Sequence, residues 1–254
     1  MADYAIQQAA DWIQNASFVM VLTGAGVSTP SGIPDFRSPS SGMWTKVDPM
    51  AVASIWGYLE NPDQFYRWFM PLARQIRQAK PNPAHFALAE LEQVASLKLL
   101  ATQNIDSLHQ TAGSRHVAEL HGHLRTASCM ACAEQISLED SWPLAEPGAI
   151  LRCQQCGGLM KPDVILFGEP LPYDALRAAQ EGALFCDLLI SIGTSLEVEP
   201  AADLPHLAKR SGSRVIIVNR QPTVVDKIAD LVIHDDAAKA LPALDRKSSC
   251  RERV

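Results

Sequence analysis

The sequence lacks the long apolar run that a membrane span requires. A transmembrane helix needs about 20 consecutive apolar residues, and no stretch of the 254 residues approaches that length. The first ten residues do not combine a basic start with an apolar core, which is the pattern of a secretory signal. We therefore expect no membrane association and a cytoplasmic location.

Positive charge is also scarce. The chain has 22 Lys and Arg against 28 Asp and Glu, a formal net charge of -6. Surfaces that bind nucleic acids cluster Lys and Arg to neutralise phosphates, so we expect no direct nucleic-acid partner. An acidic protein can attract basic peptides, although many cytoplasmic proteins are mildly acidic for solubility alone.

The order of apolar segments predicts the fold class. Residues 18–22, 97–101, 187–192 and 214–218 are apolar runs typical of buried strands, and segments with helical spacing lie between them. Strands that alternate with helices form a parallel sheet covered by helices on both faces. We therefore predict an α/β fold with a doubly wound, Rossmann-like parallel sheet.

Four of the six cysteines predict a metal site. Cys129 and Cys132 form one Cys-x2-Cys pair, and Cys153 and Cys156 form a second pair after a gap of 20 residues. This is the spacing of a zinc ribbon, in which four sulfurs surround one ion and leave no open position. Two disulfides or a redox pair are the alternative, and a reducing compartment disfavours them. We predict one structural zinc, and a buried apolar role for Cys186.

The same change of pattern predicts the domain boundaries. We expect residues 1–125 and 160–245 to form a discontinuous Rossmann-like domain, and residues 126–159 to form the smaller zinc-ribbon insert. Residues 38–80 should contribute a cofactor loop and a helical part of the small domain. The polar residues 246–254 are predicted to be a frayed tail that begins near Asp245.

A glycine loop follows the first predicted strand. In open α/β sheets a ligand that carries phosphate binds where a strand runs into such a turn. Gly24 and Gly26 are predicted to adopt positive φ, and Ser28, Thr29 and Ser31 to supply hydroxyls to the ligand or a helix cap. Thr29 replaces the third glycine of the dinucleotide fingerprint. The glycines alone therefore leave a cofactor site and a structural turn equally open.

One of the seven histidines stands out by its position. His121 ends a short predicted strand, precedes Gly122 and lies between the glycine loop and the paired cysteines. Its side chain could act as a general base, because the pKa of histidine lies near neutral pH. A packed histidine is the alternative, and the residues alone do not exclude it.

Five stretches in this order resemble the signature of a known family. They are residues 24–38, residues 102–109 (TQNIDSLH), residues 119–122 (ELHG), the two cysteine pairs, and residues 193–195 (GTS). The ordered set resembles the sirtuins, the NAD-dependent protein deacylases, over about residues 3–244, and most resembles a bacterial-type deacetylase. The resemblance implies NAD as co-substrate, one structural zinc, and proteins or peptides bearing acetyl-lysine as substrates. The implied products are nicotinamide, O-acetyl-ADP-ribose and free lysine.

The resemblance also implies the site residues. His121 corresponds to the general base of the family, and Asn104 is a second catalytic residue. The resemblance implies a nicotinamide pocket lined by Ala25, Ile33, Phe36 and Ile105, and it implies that Asn104 and Asp106 hold the carboxamide of nicotinamide, water and ribose. The implied adenosine-binding residues are Thr194, Ser195, Asn219, Arg220, Asp236 and Ala237. The NAD-binding set is completed by Gly24, Gly26, Thr29, Asp35, Arg37, Gln103 and Gly193. Residues 38–47 are expected to form a lid over the cofactor.

The peptide is expected to lie between two extended segments, residues 164–169 and 196–200. Backbone hydrogen bonds on both sides hold such a peptide with little demand on its sequence. The implied substrate-binding residues are Val164, Phe167, Gly168, Glu169 and Val198. Ordinary edge segments that bind nothing are the alternative.

A departure from the family predicts the acyl preference. Sirtuins that prefer succinyl-lysine are similar to one another in carrying Tyr-x-x-Arg beside the acyl pocket, whereas this chain has Phe69 at the arginine position after Tyr66. We therefore expect deacetylation to exceed desuccinylation.

Two other functions stay open. One is ADP-ribosyl transfer to a protein, and the other is a zinc module that binds a partner and is carried on an inactive NAD fold.

Overall fold

The computed structural model describes residues 2–36, 42–45, 47–138 and 150–249. The strands are β1 (Val19–Thr23), β2 (Leu97–Thr102), β3 (Val117–Glu119), β4 (Gly122–Cys129), β5 (Gln135–Ser137), β6 (Met160–Val164), β7 (Leu188–Ile192), β8 (Arg214–Val218) and β9 (Leu231–Ile233). The α-helices are α1 (Ala2–Asn15), α2 (Pro49–Ala53), α3 (Ile55–Glu60), α4 (Pro62–Gln78), α5 (Pro83–Val94), α6 (Leu108–Ala112), α7 (Tyr173–Phe185), α8 (Leu204–Arg210) and α9 (Ala237–Ser249).

Six strands form one parallel sheet in the order β3-β2-β1-β7-β8-β9. The chain runs outward from β1 in one direction through β2 and β3, and in the other through β7 to β9. The strand order therefore reverses between β1 and β7, which is where open α/β sheets bind ligands. The predicted doubly wound parallel sheet is confirmed.

The alternation of side chains along β1 explains the two layers of helices. Val19 and Val21 pack into one apolar core with α1, α5 and α9, while Met20 and Leu22 pack into a second core with α7 and α8. All five residues of β1 are buried. A strand whose two faces are both covered needs apolar residues on both faces, and this requirement produces the continuous apolar run seen in the sequence.

A third core lies outside the main sheet. The antiparallel strands β5, β4 and β6 form a small sheet, and its apolar residues pack against α3 and α4. The hydroxyls of Tyr58 and Tyr66 both donate to the Met160 carbonyl, so this sheet and the helices are joined by polar bonds as well. We propose that the small domain consists of the predicted insert, residues 126–159, extended by the rest of β4 and by β6, together with the helical part of residues 38–80.

The predicted tail is wrong for residues 245–249, which continue α9. Leu244 is fully buried, the side-chain amide of Gln14 donates to the Lys247 carbonyl over 3.2 Å, and Lys247 pairs with Asp3. Polar composition suggested fraying, but apolar residues on one side of α9 place that side against α1. Residues 250–254 lie outside the described residues.

Two segments form a regular element over only part of their length. Residues 201–210 form a 3-10 turn, Ala201–Asp203, followed by α8. Residues 163–167 form strand only as far as Val164. No helix in the described part of the chain is both long and apolar enough to cross a bilayer.

Candidate functional site

A cleft of about 720 Å³ opens at the carboxyl ends of β1, β2, β7 and β8. Its wall includes the predicted catalytic residues His121 and Asn104, all five predicted substrate-binding residues, and every predicted cofactor-binding residue except two. The exceptions are Asp236, which lies behind the wall, and Arg37, which lies outside the described residues together with much of the predicted lid.

The glycine loop packs against the turn after β7. The Gly26 amide donates to the Gly193 carbonyl over 2.8 Å, and a Cβ on Gly26 would lie 2.8 Å from the Gly193 Cα. The predicted positive φ at Gly24 and Gly26 is wrong, because Gly24 has φ -131° and the left-handed glycine here is Gly193, at φ 61°. The first two glycines are needed because the two loops approach each other closely.

The hydroxyls of the loop face protein groups rather than serving as helix caps. Ser28 is fully buried, and its Oγ donates to Asp106 Oδ2 over 2.7 Å. Thr29 Oγ1 donates to the Gly26 carbonyl over 3.1 Å. Ser31 Oγ accepts from the side-chain Nδ2 of Asn82 over 2.9 Å. The predicted capping role is therefore wrong for these residues, which instead hold the loop in place.

Asn104 has a fixed orientation. Its Nδ2 donates to the Gly24 carbonyl over 3.2 Å and to Ser28 Oγ over 3.1 Å. Both amide hydrogens are thus used, and Oδ1 accepts no hydrogen bond from the described residues. Since Asn104 lines the cleft, its Oδ1 is the group that remains for a ligand.

Burial raises the pKa of Asp106. The Leu108 amide and the Ser28 hydroxyl both donate to the carboxyl, over 2.9 and 2.7 Å, and these bonds favour its charged form. Ser28 was predicted only as a group that binds phosphate or caps a helix. The Ser28 hydroxyl bonds to two site residues that lie about 80 positions further along the chain, and such a contact leaves no pattern in the sequence.

The backbone of the loop after β2 fixes one ring nitrogen of His121. Its Nδ1 lies 3.0 Å from the Gln103 carbonyl oxygen. A carbonyl can only accept, so Nδ1 carries the hydrogen, and in the neutral ring Nε2 keeps its lone pair. Gly122 has φ 72°, and a Cβ there would lie 2.1 Å from the Asp163 carbonyl. Glycine is therefore required after His121 so that β6 can approach.

Two further histidines are fully buried behind this site. His85 and His109 lie with their ring centroids 4.9 Å apart. His85 Nδ1 accepts from the Asn82 amide over 3.2 Å, and His109 Nε2 lies 2.9 Å from Thr23 Oγ1. Burial lowers the pKa of His85 to about 4 and, with His85 adding a smaller effect, that of His109 to about 3.

This pair predicts a pH dependence of stability. The unfolded chain takes up protons on both residues below about pH 6.5, while the folded chain does not until about pH 4 and 3. The contribution of the two histidines to the free energy of unfolding should therefore be fully present above pH 6.5. Below that pH it should fall by about 1.4 kcal/mol per pH unit for each histidine. The raised pKa of Asp106 acts in the opposite direction and can offset only one proton.

Urea unfolding at pH 7.5, 6.0 and 5.0 tests this expectation. A His109→Asn variant should show a shallower pH dependence than the unmodified chain. A free energy of unfolding that is constant between pH 7.5 and 5.0 contradicts the assignment.

Aromatic rings line the cleft on the side of the small domain. Trp44 lies 5.1 Å from Phe36, 5.7 Å from Trp68 and 6.2 Å from Phe167, measured between ring centroids. All four residues line the cleft. Within α4, Phe65 is buried in the core, whereas Trp68 lies on the cleft wall. Trp44 was missed because it lies in the predicted lid.

The predicted peptide segment is already paired along one edge. The Phe167 amide donates to the Ala53 carbonyl over 2.9 Å, and its carbonyl accepts from the Ile55 amide over 3.0 Å. The carbonyl of Ile165 and the amide of Gly168 have no hydrogen-bond partner among the described residues. These two groups lie on the cleft wall and remain for a peptide.

Polar side chains shape the opposite end of the cleft. Gln103 Nε2 donates to Thr194 Oγ1 over 2.9 Å. Arg220 lines the cleft and pairs with Asp236. Asp236 Oδ1 also accepts from the Ala238 amide over 2.8 Å, at the start of α9. Asp236 therefore acts on the cleft through Arg220.

The four predicted cysteines lie together in the small domain. Their sulfur separations are 3.5 Å for Cys129 and Cys156, 3.6 Å for Cys132 and Cys153, and 3.4 Å for Cys132 and Cys156. Sulfurs bound at about 2.3 Å to one tetrahedral zinc lie about 3.8 Å apart, so the cluster fits the ion. Hydrogen bonds from backbone amides, that of Ala131 first, lower the pKa of the Cys129 thiol to about 6. This favours the thiolate of Cys129, whereas hydrogen bonds to neighbouring sulfurs raise the pKa values of the Cys132 and Cys156 thiols.

Removing the metal should destabilise the small domain. Cys153→Ser, or chelation, should lower stability by about 3 kcal/mol and the melting temperature by about 6–12 °C, and activity should fall with the loss of structure. Metal analysis and thermal unfolding test this, and Cys186→Ser is the control because Cys186 is buried outside the cluster. Full activity in folded, metal-free protein contradicts a structural role for the zinc.

Comparisons with known proteins agree with this geometry. A family model described as the Sir2 family matches residues 24–200. The chain is 45% identical over 240 residues to NAD-dependent protein deacylase 2 of Archaeoglobus fulgidus, and the match covers 94% of each chain. It is 42% identical over 223 residues to NAD-dependent protein deacetylase 1 of Geobacillus kaustophilus, covering 88% of this chain and 90% of the relative.

Solved structures give the same result. One, on the mechanism and regulation of Sir2 enzymes, has a TM-score of 0.91 and 43% identity and covers 99% of this chain and 100% of its own. Another, a Sir2 variant with a deacetylated p53 peptide and 3'-O-acetyl ADP ribose, has a TM-score of 0.92 and 38% identity and covers 96% and 98%. The resemblance predicted from the motifs is confirmed.

Proposed function

This chain belongs to the Sir2 family, and from that premise we propose that it removes acetyl groups from protein lysine side chains with NAD as co-substrate. The products are nicotinamide, O-acetyl-ADP-ribose and free lysine. One observation carries the proposal: His121 lines the cleft and its Nδ1 donates to the Gln103 carbonyl, so Nε2 carries the lone pair of the neutral ring, as a general base requires.

Different residues of the cleft bind different parts of NAD in this proposal. NAD supplies the ribose carbon from which nicotinamide leaves and to which the acyl oxygen becomes attached. Asn104 offers Oδ1, and Asp106 is held by Ser28 beside it. Thr194 and Arg220 lie at the opposite end, where we place the adenosine. His121 Nε2 then accepts a proton from a ribose hydroxyl, which makes that oxygen a nucleophile.

Acetyl-lysine peptides are the proposed second substrate. Residues 164–169 and 196–200 both contribute to the cleft wall. The unpartnered Ile165 carbonyl is near His121, because the Ile165 amide donates to the His121 carbonyl over 2.9 Å. It is therefore a suitable acceptor for the amide N–H of an acyl-lysine. The Sir2 structure with a deacetylated p53 peptide supports this class of substrate.

The zinc is proposed to be structural. All four ligand positions are filled by cysteine sulfurs, so no position remains for water or substrate. Reduced thiols of this kind persist in reducing compartments, which supports a cytoplasmic location.

Mass spectrometry of an acetyl-lysine peptide tests the proposal directly. The peptide is incubated with the protein with and without NAD, and both the peptide and the small-molecule products are measured. Loss of the acetyl mass together with O-acetyl-ADP-ribose, only when NAD is present, is the expected result. A peptide or protein that gains ADP-ribose instead indicates transfer, and no reaction with NAD supports the inactive binding module.

A further inference from the structure

Lys161 is a buried lysine in β6 that is fully bonded within the chain. The residue is only 8% exposed. Its Nζ lies 2.8 Å from the Val164 carbonyl, 3.2 Å from the Pro162 carbonyl and 3.1 Å from Glu169 Oε2. An ammonium has three hydrogens, so these three acceptors satisfy it completely. A lysine is rarely buried unless it is paired in this way.

Two of the three acceptors, the Val164 carbonyl and Glu169, lie at the two ends of one loop. Val164 ends β6 and begins the segment that lines the cleft, whereas Glu169 ends that segment. The same Glu169 oxygen accepts from the Leu166 amide over 2.8 Å, and the Glu169 amide donates to the Leu166 carbonyl over 3.0 Å. The lysine and the glutamate together close residues 164–169 into one fixed turn.

We propose that Lys161 is a positioning residue for the peptide substrate. By holding the Val164 carbonyl and Glu169, it fixes the turn that presents the Ile165 carbonyl and the Gly168 amide to the cleft. Lys161 itself is not on the cleft wall, so it acts through the turn. This inference rests on the proposed function for the identity of the substrate, but the ordering of the turn does not.

The position of Lys161 also joins the turn to the metal module. Lys161 pairs with Ser128 across the small sheet, and its neighbour Met160 pairs with the zinc ligand Cys129. Among the described residues, the bonds of the Lys161 ammonium are confined to β6 and the peptide turn, and none is with the glycine loop or Gln103. Loss of the lysine should therefore affect peptide binding and leave NAD binding unchanged.

A Lys161→Met variant tests the proposal in the whole protein. Methionine keeps the apolar stem and removes the ammonium. The KM for an acetyl-lysine peptide should rise about tenfold, while the KM for NAD and the zinc content stay unchanged. The matched control is Lys209→Met, which removes a lysine paired with Asp230 over 2.6 Å on α8 and should change neither KM.

A double variant separates positioning from general loss of stability. Lys161→Met leaves Glu169 charged and without its partner, whereas Lys161→Met with Glu169→Gln leaves a neutral amide that can still accept from Leu166. The KM of the double variant for the peptide should therefore lie between that of the unmodified protein and that of Lys161→Met. A lower melting temperature with both KM values unchanged overturns the proposal, and so does an equal rise of both.

Hydrogen exchange supplies a test that needs no turnover. The Leu166 amide should be protected in the unmodified protein and should exchange at least about tenfold faster in Lys161→Met. If the unmodified protein turns over no acetyl-lysine peptide, the proposed function fails, and this measurement still decides the role of Lys161. Unchanged exchange at residues 164–169 overturns it.

Discussion

Replacing His121 with alanine is expected to lower kcat for deacetylation by at least about a hundredfold, since a positioned general base contributes about 10²–10⁴. The His121 side chain lies on the cleft wall, so its removal leaves the packed cores of the protein intact. NAD should still bind, because the base acts after the cofactor is seated. We therefore expect an unchanged affinity for NAD together with a large loss in kcat.

Kinetics and calorimetric NAD binding on the same preparation check this prediction. His116→Ala is the control, because that histidine is exposed at the other end of β3 and pairs with Glu92 over 2.6 Å. Circular dichroism should show the same melting temperature within a few degrees for all three proteins. Near-normal turnover by folded His121→Ala protein removes His121 from the proposed role.

The second large effect concerns the acyl group. We expect kcat/KM for acetyl-lysine to exceed that for succinyl-lysine by about a hundredfold or more, which corresponds to about 3 kcal/mol. Phe69 lines the cleft and is only 2% exposed. A succinyl carboxylate buried against this ring loses its hydration without gaining a charged partner, and such burial costs several kcal/mol.

The neighbouring residues do not replace the missing arginine. The Arg67 side chain is 71% exposed and pairs with Asp63 over 2.8 Å on the outer side of α4. Tyr66 is fully buried, and its hydroxyl donates to the Met160 carbonyl. Both side chains are therefore directed to other partners, and neither lines the cleft.

Rates on one peptide that carries acetyl, butyryl or succinyl lysine test this preference. Neutral apolar chains should be accepted next to Trp68 and Phe69, since both rings line the cleft. A Phe69→Arg variant should narrow the gap between acetyl and succinyl, while Phe69→Leu should keep it. Comparable acetyl and succinyl rates in the unmodified protein show that the acyl group does not lie against Phe69.

The features that the sequence predicted well are those with a short repeat or a fixed spacing. The five buried residues of β1 and the two Cys-x2-Cys pairs are local patterns, and each has one common structural solution. Nearly all the site residues that the motifs identified lie on the cleft wall, because residues at the ends of neighbouring parallel strands meet at one edge of the sheet.

The features that were missed depend on contacts between distant residues. Gly26 was assigned a positive φ, but its need for glycine comes from Gly193, which a local pattern does not reveal. Ser28 was assigned to a ligand or a cap, yet its hydroxyl binds Asp106. Lys161 carries no motif, and its role becomes visible only when the turn that closes on Glu169 is seen.

The central position of β1 has a consequence for how the chain is made. Both partners of β1 come later in the sequence, since β2 begins at Leu97 and β7 at Leu188. A ribosome that adds about 5–20 residues per second needs roughly ten to thirty seconds to pass from β1 to β7. An apolar strand with a free edge is prone to pair with other chains during that time. A strand that is fully buried in the folded protein is thus exposed during synthesis, and binding by a chaperone at that stage prevents its aggregation.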